Sequence, residues 1–161
     1  MIRTTLLLAA LGTVPAAAIA EPVQITLSGG FHATGHAPVA TGPVGQAYAY
    51  SVRGGTVLRS GNNLDIPVSI DCTGLDHVNE QQETTGRGNC VWRDADDDKL
   101  FLSLTTGQNG NTYVLTGGTG KWSGIEGTIA TGFTYLPSPE ENLYLGVEEG
   151  TGALNKWPFA E

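Results

Sequence analysis

Glycine and proline punctuate this chain so closely that long helices have almost nowhere to form. There are 23 Gly and 8 Pro in 161 residues. Gly weakens helix interiors, and Pro breaks them. Between these breaks, apolar residues recur at every second position, the period of a strand with one buried face. The alternation predicts strands at 23–27, 47–52, 56–59, 64–72, 89–93, 100–105, 112–116, 128–135 and 143–147. It puts Val23, Ile25 and Leu27 on one face, likewise Tyr48, Tyr50 and Val52, and likewise Leu143, Leu145 and Val147. Gly54-Gly55, Ser60-Gly61-Asn62-Asn63, Asn109-Gly110 and Gly117–Gly120 read as turns. Residues 37–46 read as a loop and 73–89 as a long loop or ragged strand. Pro67, lacking an N–H, suits an edge position or a bulge. The expected fold is all-β: a single antiparallel barrel of about eight strands, with crowded and uncrowded positions alternating along 128–135.

Residues 1–20 read as a signal peptide. Arg3 supplies the positive start, Leu6–Leu11 the apolar stretch, and Ala18-Ile19-Ala20 the small-residue cleavage site. The apolar run is too short to span a bilayer. The single domain is then 21–161, exported to the periplasm or secreted, with no membrane insertion after cleavage. Cys72 and Cys90 would meet an oxidising compartment and close a disulfide. Two buried free thiols are the alternative. The formal net charge of −8 repels phosphate backbones and excludes nucleic acid as a partner.

The motifs that could carry chemistry are incomplete. Gly117-Gly118-Thr119-Gly120-Lys121 fails the P-loop pattern, because Leu115 stands at the first Gly position and Trp122 follows the Lys. Asp94-Ala95-Asp96-Asp97-Asp98 matches the start of a calcium loop. Lys99 replaces its Gly, however, and Thr105 its final Glu, so a solvated acidic turn is the simpler reading. His32 and His36 share one strand face and could bind a transition metal with His77. Scattered surface histidines are the plainer reading, and no metal or cofactor is expected. Glu126, in Gly124-Ile125-Glu126-Gly127, is the one candidate general base, on condition that it faces a barrel interior; an outward surface Glu is the alternative. The aromatics fill a core or line a cavity. On the cavity reading Trp92, Tyr113, Trp122 and Phe133 are the ligand-binding candidates.

Two stretches carry a resemblance. Gly88-Asn89-Cys90-Val91-Trp92-Arg93-Asp94-Ala95-Asp96-Asp97-Asp98 resembles the G-x-C-x-x-x-D-x-D-G-D hairpin of small exported bacterial proteins, departing from it at Asp97, where the hairpin has Gly. Gly117-Gly118-Thr119-Gly120-Lys121-Trp122-Ser123-Gly124-Ile125-Glu126-Gly127 resembles their G-G-T-G-K-aromatic turn, and also one in the allene oxide cyclase and dirigent barrels. The similarity covers residues 66–135. It implies an eight-stranded barrel with a central cavity, assembled as a homodimer or homotrimer, in which a hydrophobic intermediate is held in one conformation. No cyclase catalytic residue can be placed on this chain. Three functions follow as expectations. One is binding of a small apolar or amphipathic ligand without a reaction. The second is an isomerase or cyclase that templates its reaction in the cavity. The third is a structural or interaction protein with a filled barrel.

Overall fold

The computed structural model describes residues 21–61, 64–108 and 110–158. The expected leader at 1–20 lies outside the described residues, as do Asn62, Asn63 and Asn109 of the expected turns. Nine strands follow in order: β1 (Val23–Gly35), β2 (Val39–Ala40), β3 (Gln46–Arg59), β4 (Ile66–Val78), β5 (Thr84–Arg93), β6 (Lys99–Gly107), β7 (Gly110–Gly118), β8 (Gly127–Leu136) and β9 (Leu143–Leu154). Each of β3 to β9 is antiparallel to the next, and β1 pairs with both β9 and β3, which closes an eight-stranded barrel. The two-residue β2 adds to the edge of β3 inside the loop expected at 37–46.

Two expected interruptions are strand interior. Gly54-Gly55 is not a turn: it lies within β3, opposite Phe31 and Gly30 of β1. A Cβ at Gly29 or Gly54 would strike the facing backbone. These glycines therefore serve close approach at the closing seam rather than chain reversal. Residues 73–89 are likewise mostly strand, with only Asn79–Glu83 left as the β4–β5 connection. Outward positions there include exposed Thr73 and His77, and the inward positions are Gly74, Asp76, Gly86 and Gly88 rather than apolar residues, so hydrophobicity does not mark the strand. Pro67 pairs with Val57, but the β4–β5 ladder begins only at Ser69, so no neighbour on that side calls for its missing donor.

The barrel has two unlike halves. One end is packed solid by Ile25, Leu27, Leu58, Ile66, Val68, Ile70, Trp92, Leu100, Leu102, Ile129 and Leu154. A 3₁₀ turn at Gly120–Trp122, with Ile125 and Trp157, plugs it, and Trp122 meets Trp157 edge to face at 6.3 Å. Each large side chain fully buried here contributes about 1.5–3 kcal/mol. The two resembling motifs meet at this plug: Lys121 Nζ lies 2.9 Å from Asp94, 2.5 Å from Asp96 and 3.6 Å from Asp98. The acidic turn thus carries its own counter-ion. Asp97 holds φ at +63°, the left-handed conformation in which the resembling hairpin has Gly.

Cys72 and Cys90 are direct cross-strand partners on the inner wall and form a disulfide. Their bridge marks the level where the packed half ends.

Candidate functional site

Above the disulfide the barrel stays open. The inward positions of β1, β3, β8 and β9 here are Phe31, Ala33 and Gly35; Tyr48, Tyr50 and Val52; Phe133 and Tyr135; and Tyr144 and Glu148. Together with Cys72, Asp76, Leu104, Thr106, Asn111 and Tyr113 they line a cavity holding about 130 Å³ of space for water-sized molecules. A cavity of that order accepts a ring the size of benzene. Small residues make the room. Gly146 faces Phe31, and a Cβ there would meet its ring; Gly74 leaves space for Tyr50 in the same way.

β9 reverses the usual economy of a strand. Its alternating apolar residues Leu143, Leu145 and Val147 face outward, with Val147 42% exposed. Its inner face carries Tyr144, Gly146, Glu148, Gly150 and Gly152. The glycines accept the bulk of Phe31, Leu27, Ile25 and Ile129 from the flanking strands.

Rings dominate the mouth. Phe31 packs edge to face on Phe133 at 6.5 Å and on Tyr135 at 6.3 Å; Phe133 meets Tyr135 at 5.2 Å, and Tyr135 meets Tyr144 at 6.1 Å. Tyr135 and Tyr144 keep much of their surface exposed at the rim.

Two carboxyl groups interrupt this apolar wall. Glu148 is 5% exposed. Its Oε1 accepts hydrogen bonds from Asn111 Nδ2 at 3.0 Å, Tyr113 Oη at 3.0 Å and Thr131 Oγ1 at 2.5 Å. Neutral donors thus satisfy an acceptor-only group. Burial first, then the Glu148 charge and the hydrogen bond to it, pushes the Tyr113 phenol well above its usual value. Asp76 is held differently. It pairs with Tyr48 on β3 and Gly86 on β5. Its Oδ1 is buried with no hydrogen-bond partner, and burial pushes its carboxyl up to about 6. A half-buried carboxyl raised this near neutrality, in a cleft, suits proton transfer. Burial also raises the phenols of Tyr48, Tyr50 and Tyr135, with the Asp76 charge adding to each. Among the described residues, no Lys, Arg or His lines the cavity.

The candidates singled out in the sequence separate between the two halves. Tyr113 and Phe133 line the cavity. Trp92 and Trp122 are fully buried in the packed half, and Trp92 stacks edge to face on Tyr113 at 5.2 Å beneath the cavity floor. Glu126 is exposed at the plugged end, where its backbone N–H donates to Asn155. It does not face the interior, so the interior carboxyls are Asp76 and Glu148 instead. Strand alternation could have found both: Asp76 continues the inward series Ile66, Val68, Ile70, Cys72, Gly74. Glu148 sits between Gly146 and Gly150, in a series marked by glycine rather than by apolar bulk. The histidines do not converge. His32 faces Arg53 of β3, and His77 faces Ala47, six residues further along the same strand, or about 20 Å.

No protein-family profile matches this chain, and no curated protein matches it. Solved structures do. The pterocarpan synthase dirigent protein GePTS1 aligns over 90% of this chain and 96% of its own, with 13% identity and a TM-score of 0.50. The pterocarpan synthase dirigent protein PsPTS1 aligns over 84% and 96%, with 15% identity and a TM-score of 0.47. The fold is a dirigent-type eight-stranded barrel with one short added strand.

Proposed function

We propose that this protein takes a small, largely apolar molecule into the open half of its barrel and steers a reaction of it, with Asp76 as the group that moves a proton. The observation that carries the reading is the pairing of an aromatic cavity with one unpartnered interior carboxyl. The rings fix an apolar body by shape and stacking. Glu148, locked by three donors, is a fixed charge that orients the guest. Asp76, with a free acceptor and a carboxyl near 6, can hold or release a proton at physiological pH. The dirigent-type fold supports the templating reading over simple storage. Simple binding remains the second reading, favoured by the scarcity of interior groups able to act on a substrate. The disulfide supports export to an oxidising compartment.

The test begins with a thermal-shift panel of phenols, terpenoids and short lipids. A binder should stabilise the wild type and leave Ala33→Trp, which fills the cavity, unshifted. Any guest found is then followed for turnover or a change in product stereochemistry. Loss of turnover in Asp76→Asn with binding retained supports the reaction. Binding without turnover leaves the storage reading, and no binding by any class overturns both.

A further inference from the structure

We infer that the cavity selects organic cations: a quaternary or protonated amine group with a small apolar body, held against the rings with Asp76 and Glu148 as its counter-charge. This rests on the reading of the open half as a binding cavity, and it names the class of guest.

Three features point the same way. First, the walls carry six rings near the mouth, from Phe31, Tyr48, Tyr50, Phe133, Tyr135 and Tyr144. Aromatic faces carry the negative end of the ring quadrupole and attract a cation within about 6 Å of the centroid. Second, the charged groups in the cavity are all of one sign. Asp76 and Glu148 line it, and among the described residues no basic side chain does. Glu148 is satisfied by neutral donors, so its charge has no counter-ion. Third, Asp76 Oδ1 is buried and accepts nothing. A neutral apolar guest would leave the carboxylate without a counter-charge, whereas a quaternary or protonated ammonium group in the cavity supplies one. The whole chain, at −8, biases the approach of guests in the same direction.

The size agrees as well. About 130 Å³ takes a trimethylammonium head and leaves a longer body to the open mouth.

Asp76 is faced by Tyr48 from β3 and Gly86 from β5, with Tyr50 and Tyr135 nearby. All of these are neutral phenols or glycine near pH 6. A cation bound beside it therefore drives its proton off, and that release is measurable.

The experiment is calorimetric titration of the full protein with choline and with its neutral isostere 3,3-dimethyl-1-butanol, each in two buffers of different ionisation enthalpy at pH 6. Choline should bind about tenfold more tightly than the alcohol and release up to about half a proton. Asp76→Asn should abolish the release and most of the preference. Tyr144→Leu, half-exposed at the rim, should weaken choline more than the alcohol. Equal or tighter binding of the alcohol overturns the cation inference and leaves the cavity reading intact. Choline binding without proton release overturns the role of Asp76. If neither compound binds, nor benzyl alcohol, the cavity reading falls with the inference.

Discussion

The Tyr113 hydroxyl reaches across the intervening strand β8 to donate to both carboxylate oxygens of Glu148, at 3.0 and 3.1 Å. The contact ties β7 to β9 beneath the cavity and fixes the orientation of a buried charge. Tyr113→Phe removes one of three donors from that charge. Unfolding in urea should show a loss of about 1.5–3 kcal/mol. An unchanged midpoint would mean that water replaces the hydroxyl.

Asp76 governs how stability responds to mild acid. Burial raises its carboxyl from the usual 3.8 to about 6, so the native protein keeps a proton that the unfolded chain releases. Stability therefore falls as pH rises from about 4 to about 6 and stays at the lower level above that. The loss is about 1 kcal/mol once solvent screening at the mouth is allowed for. Asp76→Asn should flatten this slope and melt higher than wild type at pH 7. A variant with the wild-type slope would place the titration elsewhere.

The acidic turn at the plugged end behaves in the opposite sense. Burial alone would raise the Asp94 carboxyl. Hydrogen bonds from Lys121, Trp122 and the Asp96 amide outweigh it and hold the group below its usual value. Its stabilisation is present above about pH 4 and fades as pH drops further. Lys121→Met should lower the melting temperature at pH 7 and lose that effect in strong acid. Because Lys121 sits among Asp94, Asp96 and Asp98, added calcium should leave the wild-type melting curve unmoved. A calcium-dependent rise would restore the metal reading of this turn.

Asp97 offers a gain rather than a loss. At φ +63° its Cβ is crowded, and its ion pair with Arg93 is long, at 3.8 Å, and exposed, so it contributes little. Asp97→Gly should raise stability by about 0.5–1 kcal/mol. Denaturant unfolding that shows a loss instead would give the Arg93 pair a larger role.

The Cys72–Cys90 bridge closes an 18-residue separation, for which chain-entropy reasoning gives about 3 kcal/mol. Both cysteines are buried. Intact mass should read 2 Da below the reduced value, and dithiothreitol should act slowly until denaturant is added. Rapid reduction of the native protein would show that the inner wall opens readily.

The sequence by itself determined the class of fold, because Gly and Pro spacing forbids long helices and the period-two pattern leaves only strands. It also grouped Val23, Ile25 and Leu27 on one face of β1, and Ile66, Val68, Ile70 and Cys72 on one face of β4; which face of each strand turns inward it left open. Having just two cysteines left a single possible pairing, with free thiols as the alternative, and the structure closes the bond. Tertiary structure decided which glycines are turns and which are close contacts: Gly54-Gly55 reads like a hairpin until β1 is laid against it. It decided that the apolar face of β9 points outward, since the ring of Phe31 claims the space at Gly146. It also decided the site, because Asp76 and Glu148 are 72 positions apart and face one cavity only once the barrel closes. Alternation is a local property written along one strand. Barrel closure is a relation between strands, and no single strand records which neighbour will need its room.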